Sequence, residues 1–180
     1  ALIGLAVAGS AGEAALRADG VESMLIYLGI YMFMNIGTFA CILLMKRDGR
    51  MVEGIDDLAG LSKSNPVLAM VLSIFMFSMA GIPPLAGFLG KLYVFQAAIQ
   101  AELYALAVIG VLASVVGAFY YIRIIKVMYF DEPVDELDRG ISLEMKAILV
   151  VTGVVIVFFI FYPAPLLTGA ESATAALFHK

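Results

Sequence analysis

Gly81-Ile82-Pro83-Pro84-Leu85-Ala86-Gly87-Phe88-Leu89-Gly90-Lys91 is the stretch on which the reading of this chain turns. It sets two prolines, three glycines and a cation inside a run that is apolar on both sides. Proline lacks an amide hydrogen and is tolerated in the first turn of a helix but not in its interior, so Pro83-Pro84 ends one helix and begins another. The turn predicts an antiparallel hairpin of helices over about 64–81 and 83–101. Lys91 follows Pro83 by about 12 Å of helical rise, which carries it toward the middle of a hydrocarbon core about 30 Å thick. A lysine there costs about 2.5–3.5 kcal/mol even on lenient insertion scales, so the fold must offset that cost. Pro83, Pro84, Gly87 and Gly90 supply the means, because a helix broken around Gly87 to Lys91 exposes backbone carbonyls that can solvate an ammonium group facing a protein-lined cavity. Taking an ammonium out of water also favours its neutral form, which suits a group that takes up and releases a proton. The alternative is a structural lysine paired with a carboxylate elsewhere.

Working outward, 63% of the residues are apolar and 14% charged, far from the roughly one quarter charged of soluble domains. The fold class is therefore an all-α integral membrane protein, a helical bundle forming a single membrane domain over residues 1–180. Stretches over about 22–46, 64–81, 83–101, 103–127 and 142–162 are the predicted crossings. Ala1–Gly9 is apolar but too short to cross and lacks the basic region of a signal peptide, so it reads as the end of a helix in a truncated or processed chain. After Pro163 and Pro165, Leu166, Leu167, Ala170, Ala173, Leu177 and Phe178 share one side, which predicts an amphipathic helix over 164–178 along the membrane surface.

The connections Ser10–Gly20 and Lys46–Ser64 are charged and aqueous. The net charge of −4 comes mostly from acids at Glu53–Asp57 and Asp131–Asp138, read as solvated loops rather than a surface for a basic partner. Basic residues divide evenly between the two faces on this set of crossings, with Arg17, Arg123, Lys126, Arg139 and Lys146 against Lys46, Arg47, Arg50, Lys63 and Lys180. Charge bias then leaves the orientation open. Cys41 is the sole cysteine and His179 the sole histidine, which closes disulfide and thiolate-zinc readings. The sequence holds no phosphate-binding glycine loop, catalytic triad, heme or iron–sulfur ligand set, or basic nucleic-acid patch. No cofactor, metal, nucleic acid or redox site is expected in this chain.

Two polar features remain. Tyr27, Tyr31, Asn35 and Thr38 recur at helical spacing as one stripe, suited either to a water-bearing path or to hydrogen bonds between helices. Gly110, Ala113, Ser114 and Gly117 have the small-residue spacing of close helix contacts, and Tyr120 and Tyr121 follow near a helix end beside Arg123, where an aromatic belt is the ordinary reading.

The segments Leu61-Ser62-Lys63-Ser64-Asn65-Pro66, Phe77 to Phe95 with its Gly-Phe-x-Gly-Lys core, and Gly117-Ala118-Phe119-Tyr120-Tyr121-Ile122-Arg123 resemble the antiporter-like membrane subunits of respiratory complex I, and the resemblance extends over essentially the whole chain. It implies a fourteen-helix fold with two inverted five-helix repeats, of which this chain is similar to the end of helix nine through helix fourteen, the second repeat, with a terminal surface helix. Lys91 then corresponds to the lysine of a broken twelfth helix that ends a chain of buried ionisable residues on the way to a periplasmic exit, and Tyr120 to a tyrosine near that exit. The first repeat's glutamate and lysines lie upstream and are absent. The resemblance further implies cytoplasmic loops after helices nine, eleven and thirteen, a periplasmic C-terminus, a bacterial inner-membrane location, and other membrane-arm subunits of complex I and lipid as partners. The implied activity is proton translocation as part of NADH:quinone oxidoreductase. A sodium/proton antiporter or membrane-bound hydrogenase subunit shares the pattern, and a scaffold role with a merely paired lysine is the remaining reading.

Overall fold

The computed structural model describes residues 1–10, 12–52, 54–134, 137–138, 140–178. Their helices are α1 (Leu2–Ser10), α2 (Ala14–Leu44), α3 (Leu61–Ser64), α4 (Pro66–Ala80), α5 (Ala86–Gln100), α6 (Tyr104–Phe130), α7 (Leu143–Phe158) and α8 (Ala164–Phe178), with a small antiparallel hairpin of β1 (Lys46–Arg47) and β2 (Arg50–Met51). Glu53, Arg139, His179 and Lys180, used in the sequence reading, lie outside the described residues.

α2 and α6, of 31 and 27 residues, are long and apolar enough to cross a bilayer. α2 begins at Ala14, well inside the connection expected over Ser10–Gly20. The reason lies in strong helix formers at Ala14, Ala15, Leu16, Arg17 and Ala18, and in Gly20, which packs rather than stops the helix. A Cβ on Gly20 would lie 2.8 Å from the Gly4 carbonyl oxygen and one on Gly4 2.7 Å from that of Gly20, so the two glycines let α1 and α2 touch backbone to backbone.

α4 and α5 have 15 residues each, about 22 Å of rise and short of a hydrocarbon core. α4 starts with Pro66 in its first turn and the Asn65 side chain accepting from the Leu68 amide, the expected chemistry of a helix start. Contacts along α2 fix the direction of both. Phe75 packs on Gly37, the Ser78 hydroxyl donates to Met34 Sδ, Gly90 faces Ile30 and Tyr27, and Tyr93, Gln96 and Gln100 share a cavity with Asp19, Glu22 and Ser23. Residue numbers fall along α2 as they rise through α4 and α5. The same order holds on α6, where Gly60 donates to the Val127 carbonyl, Met79 and Lys91 share a cavity with Gly117 and Tyr121, and Phe95 abuts Gly110. α4 and α5 therefore run end to end in one direction, antiparallel to both α2 and α6.

This corrects the expected hairpin. Gly81 and the prolines stop one helix and start the next, but the course of the chain afterward is set by the groove that α2 and α6 present to both halves. The position of the break is also corrected. α5 runs as unbroken helix through Gly87, Gly90 and Lys91, and the interruption lies at Gly81–Leu85. Gly87 and Gly90 serve packing instead. A Cβ on Gly87 would intrude on the Ser78 carbonyl, and one on Gly90 would lie 3.2 Å from Ile30 Cδ1.

At the end where α2 finishes and α4 begins, the Asp138 carboxylate accepts from the amides of Asp48 (3.1 Å) and Gly49 (2.9 Å), and the Asp138 amide donates to the Lys46 carbonyl at 2.7 Å. The connection after α6 thus meets the β1–β2 hairpin. The even division of basic residues fails with it, because Lys46, Arg47 and Arg50 belong to the same end as Lys126 and Lys146. α8 lies along the N-terminal half of α2, with Leu166 against Gly29 and with Ala170 and Thr174 buried, while Leu177 and Phe178 of the predicted apolar side are exposed.

Candidate functional site

The site grows from the way α4 ends. Gly81 adopts φ +87° and ψ 38°, a left-handed conformation that suits glycine. Its amide donates to the Phe77 and Ser78 carbonyls and the Ile82 amide to Phe77, the bonding of a glycine-terminated helix. The carbonyls of Met79 and Ala80 point past this cap. Lys91 Nζ donates to both, each at 3.0 Å. The ammonium thus sits at the negative end of the α4 dipole, where a cation is favoured. A hydrogen bond to a charged group contributes about 1.5–3 kcal/mol, so two of them match an insertion cost of about 2.5–3.5 kcal/mol. Among the described residues no carboxylate forms an ion pair with Lys91. Lys91 comes from the second turn of α5, held in place by Ser78, whose fully buried Oγ accepts from the Gly87 amide at 3.0 Å.

A cavity of about 230 Å³ surrounds the lysine, lined by Tyr27, Tyr31 and Met34 of α2, Met79, Gly87, and Ala113, Ser114, Gly117 and Tyr121 of α6. Tyr27 and Tyr31 stack with ring centroids 5.9 Å apart. The small residues of α6 leave the room that the cavity occupies. Tyr121 and Met79 also line a larger space of about 500 Å³ that reaches Asn35, Thr38, Met51 of β2, and Val52 and Gly54 beyond it. Asn35 and Thr38 donate to carbonyls of their own helix, those of Tyr31 (2.9 Å) and Met34 (2.8 Å).

Of the residues singled out in the sequence, Lys91, Tyr27, Tyr31, Gly87 and Tyr121 meet in one cavity, and Asn35 and Thr38 lie in the adjoining one. Gly90 packs on α2, and Pro83 and Pro84 sit in the interruption. Tyr120 is 58% exposed with its ring edge-on to Phe119, away from Lys91. Sequence reading missed Ser78 and the Met79 and Ala80 carbonyls. The serine one turn before a Gly-x-Pro-Pro stop was the available signal; carbonyls carry none.

A bundle in which two half-helices meet end to end, with a lysine of one capping the carbonyls of the other inside a tyrosine-lined cavity, defines a membrane-embedded protein of antiporter-like fold. The family described as NADH:quinone oxidoreductase/Mrp antiporter, TM, matches residues 3–117, and the chain belongs to it. Among curated relatives it is similar to proteins named NADH-quinone oxidoreductase subunit N, the branch that the Phe77–Phe95 stretch resembles most. That of Paramagnetospirillum magneticum is 56% identical over 93% of this chain, that of Rhodospirillum rubrum 57% over 92%, and subunit N 1 of Rhizobium meliloti 52% over 99%. The chain spans about a third of their length, 34%, 34% and 35% respectively. A chain in respiratory complex I from Thermus thermophilus with bound aureothin aligns with TM-score 0.71 and 24% identity, over 93% of this chain and 42% of that one. One in the Mrp complex from Dietzia sp. DQ12-45-1b aligns with TM-score 0.74 and 22% identity, over 89% and 38%. At those identities the likeness is one of fold.

Proposed function

We propose that this chain forms part of a proton-translocating membrane-arm subunit of NADH:quinone oxidoreductase, with Lys91 as a proton relay, and that its partners are other membrane-arm subunits and the bilayer of a bacterial inner membrane. The observation that carries the reading is the Lys91 ammonium held by two helix-end carbonyls in a cavity lined by Tyr27, Tyr31 and Tyr121. Carbonyl ligands stabilise the cation without a counter-charge, so the group is left able to give up its proton. Chemistry on NADH and quinone belongs elsewhere in such a complex; this chain's share is the proton.

Orientation follows from the corrected helix order. α4 and α5 count as one crossing, which gathers Lys46, Arg47, Arg50, Lys63, Arg123, Lys126 and Lys146 near one end and leaves Arg17 near the other. Basic residues mark the cytoplasmic side. The 45–65 and 131–142 connections are then cytoplasmic, and the N-terminus of α2 and the C-terminus of α8 periplasmic, which puts the connection between α1 and α2 on the side opposite to the one the resemblance implies; α8, running from the middle of α2 toward its N-terminal end, is part of the bundle rather than a helix on the membrane surface. Copurification in mild detergent tests the assembly: NADH dehydrogenase subunits should accompany the chain. Recovery with sodium/proton antiporter subunits alone would overturn the assignment in favour of an Mrp-type complex.

A further inference from the structure

A polar cavity of about 210 Å³ lies between the first turns of α2 and the last turns of α5, outside the Lys91 cavity. Asp19, Glu22 and Ser23 line it from one helix and Tyr93, Gln96 and Gln100 from the other. Two carboxylates and two carboxamides face one another here between helices that are otherwise largely apolar. Ser23 is one turn before Tyr27, and Tyr93 is two residues beyond Lys91, so the cavity begins about 3 Å along the bundle from the lysine.

The lysine needs such a neighbour. Its two hydrogen-bond partners are peptide carbonyls, which accept hydrogen bonds but are too weakly basic to take a proton at neutral pH. A proton leaving Lys91 therefore needs a base or water beyond its own cavity. Glu22 is the half-buried carboxylate of the polar cavity and lies nearer to Tyr27, whereas Asp19 is exposed. Asp19 and Glu171 of α8, both negative, lie within electrostatic reach of Glu22.

We propose that this cavity is the aqueous mouth serving Lys91 and that Glu22 is the carboxylate that exchanges its proton with water on that side. The inference rests on the proton-relay reading of Lys91. An N–H bond of the ammonium breaks and an O–H bond forms on Glu22, passed through water and the Tyr27 hydroxyl, leaving a neutral amine and a neutral carboxylic acid. The acid then yields its proton to water at the N-terminal end of α2. No electrons move, and the same steps in reverse reload the lysine.

The test uses the assembled complex in proteoliposomes, reading protons translocated per NADH oxidised for Glu22→Gln, Glu22→Asp, Lys91→Ala and the Lys91→Ala/Glu22→Gln double variant. Glu22→Gln should fall to the Lys91→Ala ratio, Glu22→Asp should recover the wild-type ratio, and the double variant should match Lys91→Ala alone. A wild-type ratio for Glu22→Gln beside a reduced one for Lys91→Ala overturns the mouth and leaves the relay standing; a wild-type ratio for Lys91→Ala overturns the relay itself. A second measurement stands apart from assembly of the Glu22 variants. Gln100→Cys should react with a membrane-impermeant maleimide from the periplasmic face, above the labelling of the complex without that substitution, in which Cys41 is buried; an inert Gln100→Cys contradicts the mouth.

Discussion

Ser78 of α4 and Gly87 of α5 hold the two half-helices together: the Gly87 amide donates to Ser78 Oγ at 3.0 Å, and the backbones approach so closely that residue 87 has no room for a Cβ. The position of Lys91, one turn further along α5, depends on that contact.

Gly87→Ala should therefore do more harm than Gly90→Ala. At position 87 the added methyl meets a peptide carbonyl, which cannot swing aside, and overpacking of this kind costs about 1–3 kcal/mol. At position 90 it meets the tip of Ile30 at 3.2 Å, and a side chain can give way. Thermal unfolding of the two variants in detergent checks the contrast; equal stabilities would mean that the half-helices do not bear on each other as described.

The two adjacent tyrosines separate in the same manner. Tyr121→Phe removes the hydroxyl from a ring that lines the Lys91 cavity and should slow proton translocation, whereas Tyr120→Phe, on an exposed face, should leave the rate near wild type. The reverse ranking would support the role that family resemblance suggests for Tyr120.

Asp138→Ala releases the Asp48 and Gly49 amides and should loosen the β1–β2 hairpin. Faster trypsin cleavage after Arg47 or Arg50 is the expected readout, in inside-out vesicles and not in right-side-out ones. Cleavage from the opposite face would contradict the proposed orientation.

The sequence carried the class and the key cation plainly, because a lysine deep in an apolar helix beside Gly and Pro has few explanations. Direction was not legible. Gly81-Ile82-Pro83-Pro84 states that hydrogen bonding stops and restarts, while the course of α5 is decided by Tyr27, Ile30 and Gly110, far away in the chain. Tyr120 and Tyr121 differ by about 100° around a helix, and periodicity in a helix apolar on all sides could not choose between them. Glu22 and Ser23 were within reach, since Asp19, Ser23, Tyr27, Tyr31 and Asn35 continue one stripe at four-residue spacing. The charged start of α2 read as loop, and the stripe was cut short there.

Proton translocation per NADH oxidised by the assembled complex carrying Lys91→Met separates a relay from a structural cap. Methionine keeps the length of the side chain and removes the exchangeable proton. With the variant subunit present at wild-type level, the relay predicts a lowered ratio; an unchanged ratio would make Lys91 a structural cap on α4 and nothing more.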